Sequence, residues 1–249
     1  MKLQQAKPAD RLSVKIVTGI LFFLLFCGFV VCGFLIYKFF NDTRFQYEGT
    51  DSVEVLDLDT TEITDEEKDA YKVSPEKPRY LSMKSIGVER ARIIEVGVLS
   101  PNADGVQQMD APKNTSDVGW YNCQINPIVD NRCADPALPG GGDTSQAAII
   151  DGHTCFSTTY ACVFDKLRSL RINDAVMVEL GDGTILNYIV KKVEIRELDS
   201  VDMNALMKPI EPGKEGLNFI SCAGYYQGAT DANGVLTASQ RVLVWTILE

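Results

Sequence analysis

The sequence predicts an all-β domain held outside a membrane by a single helical span. Three observations carry this. One uncharged apolar run of 22 residues, 16–37, lies near the amino terminus. An acidic stretch without periodic apolar spacing follows it. Beyond Arg79 the chain breaks into short β-branched and aromatic runs bounded by Gly, Pro, Asn or Asp. Many short strands with one or two short helices point to a sandwich or closed barrel, not to a doubly wound sheet.

Taken in order, the apolar run comes first. At 1.5 Å per residue it covers roughly 33 Å, enough to cross a hydrocarbon core of about 30 Å. A cleaved signal peptide has a shorter apolar core, about 7–15 residues, and ends in small residues. Here the run leads into Tyr37-Lys38-Phe39-Phe40 instead. Cys27 and Cys32 follow Phe26 and Val31, a poor setting for lipid attachment. Residues 16–40 are therefore read as an uncleaved transmembrane signal anchor. Lys2, Lys7, Arg11 and Lys15 precede it, against Lys38 and Arg44 after it. The more basic flank stays inside, so 1–15 form a cytoplasmic tail and the large domain is extracellular, in a single-pass cell-membrane protein.

Residues 41–78 read as an extracytoplasmic stalk. Twelve acidic and four basic side chains occupy 41–77, with too little apolar surface to offset the entropy of ordering. A solvated tether is the expected state. A short helix around 60–71 is the alternative, because Thr61-Glu62-Ile63-Thr64-Asp65-Glu66-Glu67 holds capping-box chemistry. The formal charge of −10 comes with no basic run, which argues against a nucleic-acid partner.

Residues 79–249 are long enough for one well-buried domain. Strands are expected at 80–88, 91–98, 147–150, 175–180, 185–195, 217–221 and 241–248, with helices at 163–170 and 201–207. Gly181-Asp182-Gly183 between two strands is a hairpin signal. Gly140-Gly141-Gly142 lacks the Lys and Ser/Thr of a phosphate loop and reads as a flexible turn.

Three reactive side chains stand out. The chain's one histidine, His153, sits in Asp151-Gly152-His153-Thr154. Cys222 closes the strand-like Asn218-Phe219-Ile220-Ser221-Cys222, and Arg241 opens the last apolar run. A thiol, an imidazole and a guanidinium suit acyl transfer: Cys222 as nucleophile, His153 as proton carrier, Arg241 as a fixed cation for the oxyanion. Ser221, beside the thiol, is a candidate substrate contact, although packing or strand hydrogen bonding is its expected everyday role. Taken singly, a cysteine ending a strand is more often a small buried hydrophobe, and the other two are ordinary loop and rim residues.

Setting the two membrane cysteines aside leaves Cys123, Cys133, Cys155, Cys162 and Cys222. An odd count outside the cell means two bridges and one free thiol if all pairs form. Four cysteines allow three connectivities, of which the short loops favour Cys123–Cys133 with Cys155–Cys162. Cys222 is then left over. A metal set of His153, Cys155, Cys162 and Cys222 competes, but the six residues between Cys155 and Cys162 are wider than usual zinc spacing. No metal or other cofactor is expected.

An ordered series of segments resembles the sortases, membrane-anchored cysteine transpeptidases. Val118-Gly119-Trp120-Tyr121 resembles the family's segment ahead of its histidine, and Ala148-Ile149-Ile150-Asp151-Gly152-His153 the strand and loop delivering it. Phe164-Asp165-Lys166-Leu167 and Ile172-Asn173-Asp174-Ala175 resemble an F-x-x-L helix and the G-D turn after it. Asn218 to Cys222 resembles the T-L-x-T-C strand, with Asn and Phe in place of the first Thr and Leu. The insertion 122–143 has no assignable counterpart.

The resemblance implies an eight-stranded closed barrel with one or two short helices and the site in a groove on its face. It implies a substrate bearing an L-P-x-T-G-like sorting signal, a thioester on Cys222, and transfer to an amine of a cell-wall precursor or of another protein's lysine. It assigns the catalytic roles to His153, Cys222 and Arg241. Two other wall-enzyme patterns fit less well. The S-x-G-C-x-R context of L,D-transpeptidases is absent, and papain-like hydrolases place Cys before His. A catalytically inactive, membrane-tethered binding module with the same barrel is the reading from another class; retention of all three reactive side chains speaks against it.

Overall fold

Strands whose side chains alternate between a buried and an outer face can close on themselves and leave no edge. The computed structural model shows such a closure and describes residues 58–98, 109–122, 124–125, 137–155, 160–224 and 238–249. Its strands are β1 (Pro78–Met83), β2 (Val88–Val96), β3 (Val118–Tyr121), β4 (Ala147–Gly152), β5 (Ala175–Leu180), β6 (Ile185–Glu197), β7 (Gly216–Ala223) and β8 (Gln240–Leu248). They run β1-β2-β3-β4-β7-β8-β6-β5 around a closed barrel, with β5 returning to β1. The pairs β2–β3 and β4–β7 are parallel and the rest antiparallel.

The barrel interior is filled by Leu81, Ile93, Val118, Trp120, Ile150, Val178, Tyr188, Leu217, Phe219 and Val244, among others. Odd and even positions separate as the pleat requires. Ile150, Phe219 and Val244 face inward, whereas Ile149, Ile220, Leu243 and Trp245 belong to a second apolar cluster on the outer face. Of the two short α-helices among the described residues, α1 (Asp65–Ala70) and α2 (Met203–Leu206), α2 covers that cluster, with Leu206 fully buried.

The expected strand over 80–88 is interrupted. A 3-10 turn at Lys84–Ile86 and Gly87 at φ 81° reverse the chain between β1 and β2. β3 was not expected as a strand, because four residues are too few to display alternation. The helix expected at 163–170 is only a 3-10 turn, Leu167–Ser169; the one at 201–207 is α2. Asn173 takes φ 73° at the turn before β5, a left-handed value that Asn tolerates better than most residues.

Residues 58–77 fall within the segment expected to be a solvated tether, yet they lie on the barrel. Asp59 bridges to Asn114, and Ile63 is buried. The capping box supplies the reason for the helix α1 (Asp65–Ala70): Glu67 N–H donates to Thr64 Oγ1 at 3.2 Å, while Thr64 N–H donates to Glu67 Oε2 at 2.8 Å. Tyr71 then donates to Ile93 O at 2.6 Å, Tyr80 donates to Lys68 O, and Arg90 pairs with Asp69. Burial pushes the Tyr71 phenol up to about 12.

The glycine turn 140–142 is likewise held. Gly140 and Gly142 N–H donate to the buried Glu215 carboxylate at 2.6 and 2.8 Å, and Tyr188 Oη donates to the same group at 2.7 Å. The expected membrane anchor, cytoplasmic tail and residues 41–57 lie outside the described residues. Among the described residues no helix is long and apolar enough to cross a membrane.

Candidate active site

Strand register, not sequence proximity, assembles the three reactive side chains. In the β7–β8 pair Cys222 stands opposite Arg241. In the parallel β4–β7 pair Gly152 stands opposite Ser221, so His153 is level with Cys222 one residue further on. The order β4-β7-β8 therefore sets Cys222 and Arg241 on adjacent strands at one end of the barrel, with His153 the first residue beyond β4 at the same end. By the alternation above, Cys222 and Arg241 share the outer face with Ile220 and Leu243.

Cys222 is a half-buried free thiol. Arg241 is half-buried, and its Nη1 donates to Ala238 O at 2.8 Å and Gln240 O at 2.9 Å. Those bonds fix the fork at the mouth of β8. His153 Nε2 lies 2.6 Å from Pro112 O. A carbonyl only accepts, so this nitrogen carries a proton, and Nδ1 is the nitrogen left to exchange one with substrate. Gly152 explains why the histidine follows a glycine. A Cβ there would come within 2.6 Å of the Phe164 ring, which packs against the strand end.

Ser221, expected as a substrate contact with packing or strand bonding as its alternative, makes the strand bonds of that alternative. It is buried, its Oγ donates to Gly152 O at 2.6 Å, and it lies 2.6 Å from Thr154 Oγ1. Its hydroxyl joins the histidine loop to β7, the packing and strand-bonding role. Asn218 accounts for its own departure from the T-L-x-T-C pattern. Its amide donates to Leu206 O at 2.6 Å and Lys208 O at 3.1 Å, tying α2 to the barrel. A threonine hydroxyl has only one proton to give.

Cys155 and Cys162 are bridged, with Cα atoms 5.3 Å apart. That removes both thiolates from the competing metal set. Among the described residues no group of three His, Cys, Asp or Glu side chains could hold a metal ion. Cys123 and Cys133 lie outside the described residues. The bridge closes a loop of seven-residue separation just after His153. Chain entropy gives such a loop about 2.5 kcal/mol. Reduction, or Cys155→Ser with Cys162→Ser, should lower the unfolding free energy by about that much, read by denaturant titration with and without reductant. A change under about 0.5 kcal/mol would show the bridge to be energetically idle.

Three residues with a place at the site carried no signal in the sequence: Thr154, Asp165 and Arg168. Asp165 accepts from Cys155 N–H at 2.7 Å and Cys162 N–H at 2.9 Å, holding both ends of the bridged loop. Burial raises its carboxyl above the usual range, against the pull of those two N–H groups. Thr154 Oγ1 donates to Phe164 O at 3.1 Å. With Cys155, Phe164, Arg168, Ala223 and Val242 these residues surround a cavity of about 80 Å³, and Cys222 forms part of its wall. Neither the His153 ring nor the Arg241 fork lines that cavity.

Asp151 occupies the same outer face, two residues ahead of His153. It is buried, and its Oδ1 has no hydrogen-bond partner. Burial above all holds its carboxyl well above the ordinary range; the nearby Asp110 charge adds to this, and the Asp151 and Gly119 N–H groups oppose it.

Residues 131–245 match the family model of the sortase domain. Among solved structures, the chain is similar to sortase A from Corynebacterium diphtheriae at 17% identity and TM-score 0.46, covering 80% of this chain and 76% of that one. It is similar to sortase C of Streptococcus pneumoniae at 14% identity and TM-score 0.45, over 82% and 81%. For sortase C-1 from Actinomyces oris the values are 21% and 0.44, over 71% and 75%. No curated protein sequence matches the chain.

Proposed function

We propose that the chain is a sortase, a membrane-anchored cysteine transpeptidase acting outside the cell on proteins with an L-P-x-T-G-like sorting signal, and the match of residues 131–245 to the sortase domain supports this. The Cys222 thiolate attacks the signal's scissile carbonyl. A carbon–sulfur bond forms, the peptide C–N bond breaks, and the departing amine takes its proton from His153. An incoming amine, from a cell-wall precursor or another protein's lysine, gives a proton back to His153, forms the new amide and releases the thiolate. Arg241 donates to the oxyanion in both tetrahedral states, a task that suits a charged, rigid fork.

The observation that supports this is the pairing of Cys222 with Arg241 across β7 and β8, with His153 following directly on the Gly152–Ser221 pair of β4 and β7. The test is to incubate the full-length chain in detergent with a small set of L-P-x-T-G-like peptides and an amine, and to read products by mass. A thioester on Cys222 and an amine-capped fragment are expected; cleavage of none of the peptides would overturn the reading. Arg241→Lys keeps the charge and loses the fork, so kcat/KM should fall about tenfold, roughly 1.4 kcal/mol of transition-state binding. An unchanged value would remove Arg241 from the oxyanion role.

A further inference from the structure

The His153 ring leans on a carbonyl that belongs to none of the barrel strands. Its Nε2–H donates to Pro112 O at 2.6 Å, and Pro112 lies in a strap, residues 109–117, on the connection from β2 to β3. The proline ring fixes φ, so the direction of that carbonyl follows the path of the strap. The strap is held on both sides of Pro112. Before it, Met109 bridges to Val98 and Asp110 N–H donates to Gly97 O at 2.9 Å. After it, the partner is the segment that precedes α1. Asp59 N–H donates to Lys113 O and Thr115 N–H to Asp59 O, each at 3.0 Å. Between these two bonds the buried Asn114 uses both ends of its amide: Nδ2 donates to Thr61 O at 3.0 Å, and Oδ1 accepts from Ser116 N–H at 2.8 Å. Ile63, buried two residues beyond Thr61, keeps that segment docked. The far side of the histidine loop hangs on the same strap. Val163 N–H donates to Thr115 O, and Phe164 N–H donates to His153 O, both at 2.9 Å.

We propose that Asn114 and the docked residues 59–63 are positioning elements for catalysis. They hold the strap, and through Pro112 O the strap holds Nε2 of His153, leaving Nδ1 for the substrate proton. The inference rests on the transpeptidase reading above and extends its machinery to a segment whose composition reads as a tether. The strap changes no bond; its part is geometric. A proton carrier must keep its nitrogen within about 2.6–3.2 Å of the amine it serves, and a ring free to turn leaves that range.

The chain's one histidine gives a direct readout. In full-length chain in detergent, with nitrogen-15 in histidine only, one ring N–H signal reports on Nε2. Bonded to Pro112 O, that proton exchanges slowly with water and is seen; released, it exchanges fast and is lost. Asn114→Asp keeps the acceptor for Ser116 and removes the donor to Thr61 O. Ile63→Ser undocks the same segment from a position outside the strap. Each should lose the ring signal and lower kcat about fivefold, the order one hydrogen bond supplies, with KM for the sorting peptide held within about twofold. The double variant should be no slower than the slower single one, because both open one latch. Denaturant titration identifies a variant that has unfolded, and the other then decides. A ring signal and turnover that survive substitution, a rise in KM with kcat unchanged, or effects that multiply in the double variant overturn the positioning role and leave the transpeptidase standing. No turnover by the unaltered chain overturns both.

Discussion

Cys222→Ala should leave no detectable thioester and no amide product, while the unfolding free energy moves by no more than about 1 kcal/mol. The two halves follow from different features of the site. Chemistry fails because sulfur is the atom that forms the acyl bond, and among the described residues no second free thiol can take its place: Cys155 and Cys162 are bridged. Oxygen from Thr154 cannot substitute either, since its hydroxyl is already engaged with Phe164 O and Ser221 Oγ. Stability survives because Cys222 is half-exposed and contributes to the barrel mainly through its backbone pairing with Arg241, which alanine keeps. Intact-mass measurement after incubation with the sorting peptide reads the first half; denaturant titration reads the second. Wild-type turnover in the alanine variant would sink the mechanism outright. A loss of several kcal/mol would instead show that the sulfur packs as a core group.

The sequence made the chemistry more legible than the frame around it. His153, Cys222 and Arg241 were visible because each is the sole or leftover member of its kind in a telling place. The Cys155–Cys162 bridge followed from loop length. Strands with clear alternation, such as Ala175–Leu180, came out at their true bounds. What stayed hidden depends on contacts between distant segments. Residues 58–77 look like a tether by composition, yet Ile63 and Tyr71 find partners on β2 and beyond only once the barrel exists. Ser221 looked like a substrate contact because it neighbours the thiol in sequence; the pleat turns it to the opposite face. Arg168 and Asp165 carried no pattern, because a cavity lining is a property of the closed barrel.

Gly119→Ala should cost about 3 kcal/mol, at the upper end of ordinary overpacking, although it adds one methyl to a four-residue strand. The added Cβ would stand 2.2 Å from Asp151 Oδ1 and 2.8 and 3.0 Å from the two Val96 γ-carbons. Neither neighbour has space to give: Asp151 is buried on β4 opposite Gly119, and Val96 is buried in β2. Shortening the acid with Asp151→Ala should recover part of the loss, as a double-mutant cycle on contacting residues requires. The same carboxyl makes stability pH-dependent in an unusual direction. Its folded-state value lies well above that of an unfolded aspartate, through burial first and the Asp110 charge second. Over the interval between those two values the unfolded chain has released the proton and the folded one still holds it. The unfolded state binds fewer protons there, so this group's contribution is full below about pH 4 and falls as pH rises. Asp151→Asn, which cannot ionise, should therefore gain on the unaltered chain by about 1.4 kcal/mol for each pH unit climbed within that interval. Tryptophan fluorescence during denaturant titration at pH 4, 6 and 8 would follow both effects. A constant difference between the Asn variant and the parent across that range would show that Asp151 ionises in place, and a Gly119→Ala loss below about 1 kcal/mol would show that the strand can move aside.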